Sequence, residues 1–191
     1  MVFEVIQEKL KQTLDEPRFE HTIGVMYTSG CMAMAHNADI NQAMLAGLLH
    51  DCAKCMTHEE RLVLCEEYNV LVTSSELENK ALLHAKAGAL LARIEYDITD
   101  VDILHAIAVH TTGEPDMNTL DKIIYIADYI EPGRDKAPNL ELVRSLAYQD
   151  LDACMAQILY DTLNYLNSCG GHIDPTTEEA NEFYKEYRKE S

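Results

Sequence analysis

Positive charge is scarce in this sequence: 15 lysines and arginines stand against 33 aspartates and glutamates, a formal net charge of −18 over 191 residues. Such a surface argues against sequence-independent binding to nucleic acid, which depends on cations releasing the counterions of the phosphate backbone. The same field repels a polyphosphate, so a ligand of that kind needs a metal ion or a few well-placed lysines and arginines. Proline and glycine are also few, at 5 and 8, while 47% of the residues are hydrophobic. Disorder, collagen and repeat linkers are thereby excluded, and one substantial core is expected over residues 1–191. No run of about 18 apolar residues is present, and the opening MVFEVIQEKLKQ is charged and amphipathic, so neither a membrane span nor a secretion signal is expected. The six cysteines are scattered among apolar helical positions in a chain too large to need staples; they read as reduced thiols of a cytoplasmic protein.

Sustained alternation, the mark of a strand, is absent too. Apolar spacing of three and four recurs instead, as in Phe3, Ile6, Leu10 and Leu14, in Leu45, Leu48 and Leu49, and in Ile103 and Ile107 leading to His110. Breaks fall at Pro17, Asn37 to Asn41, Ser74 to Ser75, Thr99 with Asp102, Thr112 to Pro115, Pro132 to Gly133, Pro138, and Cys169 to Pro175. The expected fold is all-α, a bundle of eight to ten helices with short connections. EPGRDKAPN is the loop-rich stretch that separates core motifs at 18–134 from C-terminal packing helices at 139–191.

The strongest chemical signal is LAGLLHDCAK, where His50 and Asp51 close an apolar helical run. Neighbouring helical residues diverge by about 100°, so both reach one ion best at a helix end. An imidazole and a carboxylate there suit a divalent ion that takes mixed nitrogen and oxygen ligands; the plainer reading is a helix end with a solvated aspartate. His21, His84 and His110 fall on inward stripes, His84 beside the small residues Ala87 and Gly88. Asp128 lies inside IIYIADYI, and a buried carboxylate without a partner costs several kcal/mol, so it should meet a cation or turn to solvent with Asp121. His36, His58, His105 and His172 are weaker candidates, His105 on a different face from His110 and expected to be exposed. Cys52 and Cys55 form a CxxC pair with no second pair to complete a zinc site.

The ordered set His21, His50-Asp51, His84, His110 and Asp128 on an all-α chain resembles the HD-domain phosphohydrolase superfamily. RFEHTIGV (Arg18 to Val25), AGLLHDCAK (Ala46 to Lys54), HAKAGA (His84 to Ala89), AIAVHTTG (Ala106 to Gly113) and MNTLDKIIYIADYIEPGR (Met117 to Arg134) are similar to its bacterial branch of symmetrical dinucleoside tetraphosphatases. That resemblance implies cleavage of diadenosine tetraphosphate to two ADP. It also implies an iron-type ion, with manganese, zinc, cobalt or magnesium as alternatives, on His21, His50, Asp51 and Asp128. His84 and His110 would then line the phosphate side, with catalytic work shared among Asp51, Lys54, His84 and His110. Arg18, Lys54, Thr111 and Arg134 are the cations and hydroxyl nearest the motifs, so they join the expected phosphate contacts. A weaker echo in GGHIDPTTEEAN, where the branch is more basic, adds Gly171, His172 and Thr176 as nucleotide contacts. A nucleotide substrate is the expected partner, a homodimer is compatible with the sequence, and nucleic acid and membrane are not expected.

Two rival readings keep parts of this site. One is an HD-type phosphohydrolase acting on another nucleotide, since nothing in the motifs fixes base or phosphate number. The other is a non-catalytic nucleotide sensor whose metal is structural. A ligand set without thiolates and open to solvent favours catalysis.

Overall fold

The computed structural model describes residues 2–188, so Met1 and residues 189–191 of the expected domain lie outside it. Among the described residues there is no strand. Eleven α-helices follow one another: α1 (Val2–Thr13), α2 (Glu16–Ala35), α3 (Ile40–Leu49), α4 (His58–Glu67), α5 (Ser74–Glu78), α6 (Leu83–Glu95), α7 (Val101–Val109), α8 (Thr119–Ile130), α9 (Leu140–Leu146), α10 (Leu151–Cys169) and α11 (Pro175–Tyr184), ending in a 3-10 turn at Lys185–Tyr187. The helix count passes the expected eight to ten because a short helix, α5, forms behind its own cap.

Acidic residues start many of these helices, which accounts for part of the negative charge. The carboxylates of Asp15, Asp39, Asp100, Asp150 and Asp174 each accept a backbone N–H of the first turn. Thr57 with Glu60, Thr73 with Glu76, and Asn118 with Asp121 close reciprocal capping boxes. One expected start shifts: α7 is capped by Asp100 and not by Thr99, because the Asp100 carboxylate reaches the backbone N–H groups of Asp102 and Ile103. Pro17 sits within the first turn of α2, where its missing N–H costs nothing.

The main cluster of buried side chains runs from Ile6 and Leu10 in α1 to Tyr184 at the end of α11. The C-terminal helices share it: α10 packs on α8, α9 and α11, and the buried Tyr184 hydroxyl accepts the Met117 N–H at 2.8 Å. At the centre α2 packs on α3 and α8, while α7 packs on α3, α6 and α8. Gly47 makes the α2–α3 approach close, since a Cβ there would lie 2.8 Å from Ser29 Oγ and 3.1 Å from the Met26 Cα. That approach brings His21 on α2 beside the end of α3, where His50 stands. No described helix is long and apolar enough to cross a membrane.

Candidate active site

Five helices deliver the site. His21 projects from the second turn of α2, His50 and Asp51 follow the last residue of α3, His84 opens α6, His110 follows α7, and Asp128 lies in the last turn of α8. Placement at helix ends gives side chains from separate helices room to converge on one point. Gly88 helps from the α6 side, where a Cβ would meet the His50 carbonyl oxygen at 3.4 Å.

His21 Nε2 lies 2.9 Å from Asp128 Oδ1 and 3.9 Å from Asp51 Oδ2. His50 Nε2 lies 3.4 Å from Asp51 Oδ2 and 3.9 Å from Asp128 Oδ1. His50 and Asp51 are almost fully buried, at 0% and 2% exposure, whereas the Asp128 side chain keeps 24% and lines a small pocket with Tyr129 and Arg134. On its other side Asp51 turns Oδ1 toward His84 Nε2 at 3.0 Å and His110 Nε2 at 3.7 Å. The two imidazoles approach each other, Nε2 to Nε2, at 3.2 Å, with the Thr111 hydroxyl 3.4 Å from one and 3.3 Å from the other. Asp51 is therefore the hinge between two groups of ligand-type atoms.

The fit to a metal ion is decided by what each histidine does with its second nitrogen. His50 Nδ1 donates to the Gly47 carbonyl at 2.7 Å, His110 Nδ1 to that of Ile107 at 2.7 Å, and His84 Nδ1 to that of Ala81 at 2.5 Å. His21 Nδ1 donates to Glu131 Oε1 at 3.1 Å. Every ring thus spends its Nδ1 proton outward and turns an Nε2 lone pair inward, the arrangement of imidazoles that hold metals. His21 Nε2, His50 Nε2 and Asp51 Oδ1 are buried without an aligned hydrogen-bond partner. A divalent ion of the nitrogen- and oxygen-binding kind satisfies such orphaned atoms, and His21, His50, Asp51 and Asp128 fit it. Three overlapping trios, His21, His50 and Asp51, then His50, His110 and Asp128, then Asp51, His84 and His110, each bring their ligand atoms within 4.8 Å of one another.

Three cations ring the opening. Arg18 Nη1 lies 2.6 Å from Asp51 Oδ2, and Arg134 Nη2 lies 2.6 Å from Asp128 Oδ1. Lys54 Nζ stands 3.0 Å from His84 Nε2 and 3.8 Å from Asp51 Oδ1. Arg134 also caps α8, its Nε donating to the Asp128 carbonyl, so the capping and site readings of this residue hold together. A cleft of about 930 Å³ opens beside Arg18 and Arg134, with Pro17, His21, Gly24 and Pro132 also on its walls.

Burial by itself would raise the Asp51 carboxyl, but His50, His110 and His84 outweigh it and hold Asp51 well below the usual carboxylate range. Asp128 behaves alike, burial being overcome by His21, His50 and Arg134. Burial pulls Lys54 below an ordinary lysine, with Arg18 adding to the effect and Asp51 opposing it. His84 is pushed down to about 4 by burial, with Asp51 working against the shift. His84 is therefore neutral at pH 7, and its Nε2 accepts from Lys54.

The remaining sequence candidates separate from this cluster. His105 is exposed as expected and bridges Asp121 and Glu114, at 3.1 Å from each. Asp121 is 1% exposed and closes the α8 capping box, so it marks no solvent face for Asp128. His58 opens α4, and His36 binds the Ala147 carbonyl. Cys52 donates to the Gly88 carbonyl and the exposed Cys55 to Asp15, so the CxxC thiols are engaged apart. His172 pairs with Glu78 at 3.3 Å, and Thr176 has its backbone N–H on Asp174. Gly171 is exposed and packs near Leu166. The recorded contacts of these three residues stay with the tail and α5. Glu131 was missed, although its place three residues after Asp128 on the same helical face could have pointed to it.

His84 and His105 set opposite slopes of stability with pH in the metal-free protein. The folded His84 value of about 4 lies below its ordinary value of about 6.5. Its contribution is complete above that ordinary value and is lost as pH falls toward 4. His105 is raised, Asp121 outweighing burial, so its contribution is present below the ordinary value and lost as pH climbs through the raised one. The thermal midpoint of metal-free protein is expected to fall between pH 6.5 and 4, and His84→Gln to flatten that limb. Melting curves across that range check it; an unchanged limb in the variant would remove His84 as the cause.

An all-helical domain with a buried histidine and aspartate cluster, joined through His21 to a cleft walled by Arg18 and Arg134, defines a class of metal-type phosphohydrolase site. The HD domain model matches residues 18–133, nearly the span of the motifs. The chain belongs to the HD-domain family. It is 41% identical to a Halalkalibacterium halodurans protein named symmetrical bis(5'-nucleosyl)-tetraphosphatase, over 88% of this chain and 89% of that one. A Bacillus subtilis protein of the same name is 38% identical, with the same shares covered. A crystal structure from Clostridium acetobutylicum, described as a predicted HD superfamily hydrolase involved in NAD metabolism, superposes with a TM-score of 0.93 at 36% identity, covering 97% of this chain and 98% of that one.

Proposed function

We propose that this protein hydrolyses diadenosine tetraphosphate symmetrically to two ADP, with His21, His50, Asp51 and Asp128 holding a divalent ion, most simply iron. The carrying observation is the set of inward, unpartnered Nε2 and Oδ atoms beneath a ring of Arg18, Lys54 and Arg134. The names of the relatives support the substrate. A bound ion of this kind lowers the pKa of its water from 15.7 to about 7 and offsets phosphoryl charge.

The chain's own residues supply the rest. Arg18 and Arg134 lean on Asp51 and Asp128; were those carboxylates to hold an ion, both guanidinium forks would be available to phosphate oxygens. Lys54, eased below an ordinary lysine and in contact with His84, is the proton source for the departing phosphate. His84 and His110 keep that proton path aligned, and Thr111 adds a hydroxyl between them. The 930 Å³ cleft has room for a nucleotide arm. Incubating metal-loaded protein with a nucleotide panel and separating the products tests the reading. ADP alone from diadenosine tetraphosphate supports it; ATP with AMP, or no turnover, removes it.

A second reading has one specific observation in its favour. Two Nε2 lone pairs facing each other at 3.2 Å beside Asp51 Oδ1 invite a second ion on Asp51, His84 and His110. Lys54 and Thr111 already supply hydrogen atoms there, so one ion with a phosphate-side histidine pair is the primary assignment.

Arg134 gives a test of how a protein of net charge −18 holds a tetraphosphate. Distant surface acids matter little beyond a Debye length of about 8 Å at physiological salt. Arg134→Ala is expected to weaken ADP binding by roughly tenfold or more, the size of a lost charge-assisted hydrogen bond. Glu178→Ala or Glu182→Ala on the exposed side of α11 should leave it nearly unchanged. Calorimetric titration with ADP checks this, equal affinities reducing Arg134 to a helix cap.

A further inference from the structure

We infer that Glu131 is a positioning residue that sets the tautomer and orientation of His21, and that Gly24 and Gly133 are the space reserved for its carboxylate. The inference rests on the metal assignment above but concerns a residue outside it.

Glu131 follows the last residue of α8 and is 4% exposed. A carboxylate at such a depth needs donors. It has two: His21 Nδ1 at 3.1 Å from Oε1, and the Gly133 backbone N–H at 2.6 Å from Oε2. The main chain on both sides of it is pinned by Arg144, whose Nε donates to the Ile130 carbonyl and whose Nη2 donates to those of Glu131 and Arg134. The side chain therefore cannot drift away with its loop. The other three inward histidines use backbone carbonyls three residues back for the same purpose. His21 lies inside α2, where the carbonyls are committed to the helix, so its outward proton needs a side chain from elsewhere. Glu131 supplies it.

The walls around the carboxylate are made of absent side chains. A Cβ on Gly24 would stand 2.6 Å from Glu131 Oε2, and a Cβ on Gly133 would stand 3.0 Å from both carboxylate oxygens. Alanine at position 24 favours the helix by about 1 kcal/mol over glycine, so glycine there is unfavourable locally and is explained by the carboxylate it admits. Two oxygens are also required: glutamine offers one acceptor and two amide hydrogens, so it must abandon either His21 Nδ1–H or Gly133 N–H.

The variants Glu131→Ala, Glu131→Gln and Gly24→Ala, with the double variant of the first and last, test this in the full chain. Manganese(II) affinity of metal-free protein is measured by calorimetry. The His21 tautomer is read in metal-free protein from long-range nitrogen-15 correlation spectra, with His21→Gln identifying the signals. Glu131→Ala is expected to weaken manganese binding 10- to 100-fold and to mix the His21 tautomers, and Glu131→Gln to act in the same direction while preserving shape. Gly24→Ala should weaken binding alone and add nothing in the Glu131→Ala background, because both act through one carboxylate. Unchanged affinity in both Glu131 variants, an unchanged His21 tautomer, or additive effects in the double variant would overturn the inference. Should Glu131→Ala fail to fold, Glu131→Gln and Gly24→Ala decide the matter. Wild-type protein that takes up no manganese defeats the metal assignment, and the tautomer spectra still decide the role of Glu131.

Discussion

Replacing Asp51 by alanine is expected to empty the metal site and to lower hydrolysis of diadenosine tetraphosphate by at least about 10⁴-fold, the upper end of what one acid–base group supplies, since the ion is lost with it. No other side chain touches as much of the site: its carboxylate lies within 4 Å of Arg18, His21, His50, Lys54, His84 and His110. Removing it leaves four Nε2 atoms, those of His21, His50, His84 and His110, without their carboxylate neighbour and breaks the 2.6 Å ion pair of Arg18. Asp51→Asn keeps the shape but halves the acceptors and removes the charge, so it should lose metal nearly as fully. Asp128→Ala, at the outer side, should also lose the ion while leaving the His84 and His110 pair in place. Elemental analysis of purified variants with activity on the same samples checks all three. Full metal content in Asp51→Ala would show that the carboxylate is not a ligand.

Much of this site was legible because its residues violate their local surroundings. Asp128 in IIYIADYI and His50-Asp51 after an apolar run are polar groups where the helix period demands core, and the structure turns both into the site floor. His21, His84 and His110 were legible as inward residues from spacing, but that spacing does not say which histidine meets which aspartate. The grouping depends on the close α2–α3 approach at Gly47 and on helix ends meeting, which are long-range properties. The motif resemblance supplied a grouping for His21, His50, Asp51 and Asp128. It was silent on Glu131, whose partner His21 is 110 residues away in sequence. It was equally silent on Arg61, 7% exposed, which ties the carbonyls of Ala53 and Lys54 to that of Lys80 and so steadies the Lys54 loop.

The fold followed the same division. Stripes such as Ile6, Leu10 and Leu14 are buried as their period requires, and helix type was readable wherever such a stripe ran. Starts were readable only where one cap dominated. At Thr99 and Asp100 two adjacent residues compete, and the carboxylate that reaches two N–H groups takes the position. The short α5 has too few residues to show a period, so only its Thr73 and Glu76 capping box announces it.

His84→Ala is the other large effect expected, a rate loss of roughly 10²- to 10⁴-fold with one ion still bound per chain. The imidazole is 1% exposed and carries its proton on Nδ1 toward Ala81, so Nε2 is the working atom. That atom meets Lys54 Nζ, His110 Nε2 and Asp51 Oδ1 within 3.2 Å. Without it Lys54 loses its alignment toward the phosphate side, whereas His21, His50, Asp51 and Asp128 keep every contact among themselves. The loss should fall on the catalytic constant more than on KM, because the interaction serves proton delivery rather than ground-state binding. His110→Ala should show the same split, with a smaller drop because its Nε2 is 3.7 Å from Asp51 Oδ1 against 3.0 Å for His84. Metal content measured beside the kinetics separates the two assignments of this pair. One ion in wild type and variant places His84 on the phosphate side, while a fall from two ions to one assigns it to a second ion bridged by Asp51.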